Sequence, residues 1–194
     1  MDVVEFINSL NLFDLLVVLF LFAMFIVGYV QGAVRRVVGT LTITFSFFLA
    51  ALLSVPFGDF LISNWTSYPE EYSRMIGFLT LFGAGVIAFF LVVQGTYSKT
   101  EIFARHPVID ELLGGLLGVA QGLLFLMYLT IVLDQYFLFA PSGGQGFELP
   151  FLRPFWSALN ESSFGSLLHT TVIPNFVALT GFLLPDYIKA LYVR

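Results

Sequence analysis

Ser162, Ser163, Ser166 and His169 fall within one short stretch, with Glu161 beside them. A serine activated by a histidine, itself oriented by an acid, is the constellation of nucleophilic hydrolysis. No G-x-S-x-G elbow presents any of these serines, and Glu161 is the one acid at hand, so the stretch reads as a polar helix segment. The chain has no cysteine, which excludes disulfides, thiolate metal sites and thiol nucleophiles. The other histidine, His106, falls on the opposite side of the membrane from His169 in the topology below, so the two cannot share a metal. The glycine run at 143–146 lacks the Lys and Ser/Thr of a phosphate loop and reads as a linker. No catalytic residue, cofactor or metal site is expected.

Glycine spacing is more specific. Gly114, Gly118 and Gly122 recur every four residues, and Gly28 and Gly32 do the same earlier in the chain. Such spacing puts them on one helix face. Glycine inside a helix costs about 1 kcal/mol relative to alanine, so repetition needs a reason. In lipid the reason is close backbone approach, either within the bundle or against a second copy or partner subunit. Both glycine pairs share the string G-x-x-Q-G, which carries Gln31 and Gln121. An amide in hydrocarbon must find hydrogen-bond partners, and Thr40, Thr42, Thr44 and Ser46 are candidates to complete a polar seam with these glutamines. The seam reads as interhelical glue or as the lining of a permeation path.

The elements that position these residues follow from composition. The chain has 194 residues, of which 58% are hydrophobic and 11% charged, with a mean hydropathy of +0.93. A soluble domain is about 45–50% apolar and about 25% charged. A chain this small cannot hide so much apolar surface in one globule, so its solvent is lipid. The net charge of -5 argues against nucleic-acid binding. A span needs about 20 mainly apolar residues. Leu12–Val30, Val37–Val55, Ile76–Val93 and Leu112–Leu133 qualify, and Asp14 is the only ionisable side chain within them. None alternates as a barrel strand would, so the expected fold is an all-α integral membrane protein with four transmembrane helices.

Arg35 and Arg36 lie between the first two spans, and Lys99 and Arg105 between the last two. The other loop and the acidic start are poor in basic residues. The basic loops are therefore expected to face the cytoplasm and both termini the outside. The start lacks the basic region and cleavage site of a signal peptide, so the first span reads as retained. Asp14 and Asp110 stand at helix N-termini, where a carboxylate meets unpaired N–H groups and reads as a cap. Asp110 can alternatively pair with Arg35 or Arg36 at the cytoplasmic face, where the arginines act as anchors or attract anionic headgroups.

The four-helix module thus occupies 1–135, a Gly/Pro-rich linker 136–147, and a tail 148–194. Pro150, Pro154, Pro174 and Pro185 break the tail into pieces too short to span. Short amphipathic helices at the membrane interface fit it, with Phe155, Trp156, Tyr187 and Tyr192 as interfacial aromatics. A small cap packed on the four spans is compatible with the same pattern.

Asp14 opening the first span, Gly28 and Gly32 closing it, Arg35 following, and then Asp110 before Gly114, Gly118 and Gly122 form an ordered set. This set resembles the colicin V production (CvpA) family of bacterial inner-membrane proteins over residues 12–135. Where that family often carries Arg before the second glycine of each pair, this chain has Gln31 and Gln121. The resemblance implies a multi-pass protein of the bacterial cytoplasmic membrane, linked to toxin production or export and to envelope homeostasis. It implies a non-enzymatic scaffold or accessory subunit, surrounded by membrane lipids and held in a homo-oligomer or larger membrane complex. A small transporter or channel, and an accessory subunit of a respiratory or photosynthetic complex, are the alternatives.

Overall fold

The computed structural model describes residues 11–64, 67–96, 107–142 and 144–192, without side-chain placement at 93–96 and 107. The acidic start, Lys99, Arg105 and His106 lie outside the described residues. All regular structure among the described residues is helical. Four long helices, α1 (Leu12–Gln31), α2 (Ala33–Asn64), α3 (Glu70–Thr96) and α4 (Pro107–Phe137), contain the four apolar runs, and each is long and apolar enough to span a membrane. Five residues of π-helix (Leu168–Val172) and four short helices complete the chain: α5 (Leu152–Asn160), α6 (Ser163–Leu167), α7 (Ile173–Thr180) and α8 (Asp186–Tyr192).

Local chemistry sets the helix ends. The side chain of Asn11 caps α1 by accepting from the Phe13 N–H at 3.4 Å. Glu70 and Glu71 sit in the first turn of α3, where negative charge meets the positive end of the helix dipole. Pro107 opens α4, where its missing N–H costs nothing. Gly32 alone separates α1 from α2 at φ +79, a conformation glycine adopts without strain.

The bundle runs up, down, up, down. α1 packs chiefly on α4, and α2 on α3. At the core, Phe47 of α2 stacks on Tyr128 of α4 with ring centroids 4.2 Å apart, and Phe78, Phe82 and Phe176 close around them. The outward faces are apolar as well: Phe22 is 61% exposed and Val30 67%. Contiguous exposure of this kind is tolerated in lipid and not in water.

The glycine faces of α1 and α4 meet each other within one chain. A Cβ built on Gly114 would lie 2.5 Å from the Gly28 carbonyl oxygen and 2.7 Å from Gly32 C. One on Gly118 would collide with the Met24 carbonyl and come within 3.2 Å of Gly28 Cα, and one on Gly122 would press on Leu21 at 3.1 Å. Backbone-to-backbone approach of this kind replaces the hydrophobic drive that lipid removes.

The tail is neither extended nor flat. α5 is amphipathic, with Leu152 and Leu159 buried. The segment from α6 through α7 enters the furrow between α2 and α4, where Phe176 lies 5.6 Å from Tyr128 and 6.2 Å from Phe47, centroid to centroid. Tyr128 sits about 9 Å along α4 from Asp134, at about 1.5 Å per residue, so α7 reaches past the helix ends. A turn before Pro185 reverses the chain, leaving Leu179 and Phe182 exposed at the tip while Ile173 and Ile188 are fully buried.

Gly118→Leu is expected to lower the melting temperature in detergent, because overpacking costs about 1–3 kcal/mol. Gly83→Ala is the control: its Cβ would meet nothing within 4 Å, so stability should hold or rise. A Gly118→Leu protein as stable as wild type would contradict close packing at this position.

Candidate functional site

The most polar point inside the molecule is Asp134, in the last turn of α4 and completely buried. The apolar run that marks the fourth span stops one residue before it, so the pattern of apolar runs does not mark it. Its Oδ1 accepts from Trp156 Nε1 at 2.8 Å. Its Oδ2 contacts His169 Nε2 at 2.8 Å and accepts from the Tyr192 hydroxyl. Three separate tail elements, α5, the π-helical turn and α8, thus converge on one carboxylate.

Each partner is placed by local structure. Pro174 removes an N–H from the helical ladder just after His169, and the chain there takes the wider π form. His169 Nδ1 meets the Gly165 carbonyl at 2.9 Å. Both ring nitrogens therefore face acceptors, and the imidazolium is the form that donates to both. The hydrogen bond to Asp134 raises the His169 pKa above its usual 6.5, against the opposing effect of burial. Burial first, and the Asp134 charge next, push the Tyr192 hydroxyl well above its ordinary value, so it remains a donor. Trp156 and Tyr192, expected at a wet interface, instead turn their polar atoms inward.

Asp14 is 6% exposed, and it does not cap its own helix. Its two oxygens accept from the backbone N–H groups of Ser163 and Phe164, at 3.1 and 2.9 Å. The first span thereby caps α6 of the tail, alongside Ser162, whose hydroxyl accepts from Gly165 N at 2.9 Å. Further fastenings follow the same plan. Tyr187 of α8 bonds Ser54 of α2 at 2.6 Å, and the Leu149 N–H donates to the Tyr72 hydroxyl at 2.9 Å. Glu148 takes both Arg153 and the Tyr136 hydroxyl, and the Arg153 hydrogen bond draws its pKa below the usual value. The hydrolase constellation does not assemble, since neither nitrogen of His169 faces a serine.

At the opposite end of the bundle stand the remaining residues singled out by sequence. Asp110 is 3% exposed; it lays Oδ2 against Gly32, where a Cβ would collide with it, and its Oδ1 has no hydrogen-bond partner among the described residues. Arg36 does not face the aqueous surface as an anchor. It is 5% exposed and donates from Nη1 to Gln121 Oε1 at 2.8 Å. The partner of Gln121 is thus an arginine and not the Thr/Ser stripe of α2, whose Thr44 receives the Tyr128 hydroxyl and whose Thr40 bonds the Arg36 carbonyl. Gln31 and Arg35 line the same cleft as Arg36 and Gln121. With Arg36 reaching Gln121, and Asp134 inside α4, ionisable groups are more numerous in the spanning helices than the apolar runs suggested. Among the described residues, no group of three or more His, Asp or Glu could hold a metal ion.

Residues 13–168 match the family model for the colicin V production protein. The chain belongs to that family. The matched segment runs from α1 into the tail and includes Asp14, Asp134, Trp156, Ser163 and Phe164, while His169 and Tyr192 lie beyond it. No curated protein and no solved structure matches the chain. Family and fold together make this colicin V production family member an integral inner-membrane protein with four apolar helices.

A histidine whose folded pKa is raised contributes stability that is fully present below its unfolded pKa and is lost as pH rises through the folded one. The melting temperature in detergent should therefore fall as pH climbs upward from about 6.5, and His169→Gln should flatten that slope. Equal pH slopes for the two proteins would count against a charged His169–Asp134 pair.

Proposed function

We propose that this chain is a non-enzymatic scaffold or accessory subunit of the bacterial cytoplasmic membrane, serving toxin production or export and envelope homeostasis. Both termini lie outside and the basic loops in the cytoplasm. One observation carries the reading: among the described residues, the hydrogen bonds to the buried Asp134 carboxylate all come from the tail. Buried ionic groups used this way fix a surface instead of moving a solute. The outward faces of the helices, still apolar and unpaired, are where a second copy or a larger membrane complex would pack.

A conduit for a small anion is the second reading, favoured by Arg36 reaching Gln121 beside a cleft. Transporters place ionisable groups near the midplane in this manner. Proteoliposomes separate the two. The scaffold reading expects no flux of protons, alkali cations or small anions above empty liposomes, together with fixed-ratio copurification of partner subunits in mild detergent. Saturable flux, abolished by Gln121→Leu in a protein that keeps its helix content, would replace the scaffold with a conduit.

A further inference from the structure

α1 and α2 are joined only through Gly32 and splay apart beyond it, opening a cleft of about 310 Å3. That is the lower end of the range for pockets that hold small molecules. Its lining is divided. Gln31, Arg35, Arg36 and Gln121 supply the polar part, whereas Met24 and Val27 of α1 and Val86 and Phe90 of α3 supply an apolar part on two membrane-spanning helices.

Electrostatics identifies what the polar part lacks. Arg36 is almost wholly buried, and Gln121, its hydrogen-bonded side-chain partner among the described residues, is neutral. Its Nε has no hydrogen-bond partner among the described residues. Among the described residues no carboxylate forms an ion pair with it, and a second cation, Arg35, lines the same cleft. A buried charge without a counter-charge carries a desolvation cost that an anion relieves. The fork of a guanidinium suits a phosphate oxygen pair.

The apolar part identifies what else that anion carries. A free phosphate fills only the arginine end and leaves Val27, Val86 and Phe90 without a partner. We propose that this cleft binds an anionic phospholipid, its headgroup phosphate on Arg36 and Arg35 and one acyl chain along Val27, Val86 and Phe90. The surrounding bilayer supplies such a molecule directly. A bound lipid would seat the splayed end of α1 against α2 and α3.

The test uses the full chain in a neutral detergent, with binding of short-chain phosphatidylglycerol, phosphatidylcholine and inorganic phosphate followed by native mass spectrometry and thermal shift. Saturable binding of phosphatidylglycerol is expected, with phosphatidylcholine and phosphate weaker by about tenfold or more, the scale of one charge-assisted contact. Arg36→Gln should remove the preference for the anionic head. Val27→Trp fills the apolar end from a position that is 42% exposed, so the bundle keeps its fold while the acyl chain is excluded and phosphatidylglycerol binding drops to a similar degree. Equal affinity for the two lipids in wild type, or undiminished phosphatidylglycerol binding by Val27→Trp, overturns the proposal. Binding of inorganic phosphate as tight as that of the lipid also overturns it, in favour of a soluble anion.

Discussion

A carboxylate sealed inside a bundle of apolar helices must be given donors, and the rest of this structure is organised around that requirement at Asp134. In a low-dielectric interior an ion left alone costs several kcal/mol, whereas one with a full set of donors draws them together strongly. Asp134 takes an indole N–H, an imidazole and a phenol from three tail elements that are distant in sequence. The tail cannot satisfy it without folding back into the furrow between α2 and α4. Once there, it buries Leu168, Ile173 and Ile188 and completes the aromatic core around Phe47 and Tyr128. Asp14 repeats the device at the start of α1 by capping α6, so the first and last spans hold the same tail.

The opposite end is governed by backbone proximity. The glycines of α1 and α4 bring the two helices so close that Gly32 and Asp110 touch, and α2 departs from that point in its own direction. The divergence of α1 from α2 is the geometric origin of the cleft, and the length of the Arg36 side chain carries a charge from the helix end toward Gln121. Close packing at one interface thereby creates open space at its neighbour. The two ends differ in kind: one is filled by the chain's own tail, and the other presents two arginines beside an apolar wall.

The four spans were legible in the sequence because their signal is compositional: twenty or so apolar residues in a row have no soluble alternative in so small a chain. Glycine spacing marks one face of α1 and one of α4 but does not name the helix that lies against each. Asp134 was hidden because an apolar run and a helix do not end together; the run stops at Leu133, whereas α4 continues to Phe137 and Asp134 lies in its last turn. A buried-side reading of that turn, four residues after Thr130 on the same face, was the available signal. The Arg36–Gln121 bond could not be read, since the two residues are 85 positions apart and positively charged residues beside a span ordinarily anchor to water. The tail divided in the same way. Its prolines predicted short helices correctly, but which way Trp156 and Tyr192 turn depends on a partner in another element.

Hydrogen–deuterium exchange on Asp134→Asn compared with wild type tests the fastening role of Asp134 most directly. The substitution keeps the shape and removes the charge, and breaking a buried charged network costs about 3 kcal/mol or more, equivalent to about a hundredfold easier opening. The predicted result is faster exchange confined to tail amides between Leu152 and Tyr192, with α1 to α4 as protected as before. Tail amides that exchange at the wild-type rate in the Asp134→Asn protein would contradict it.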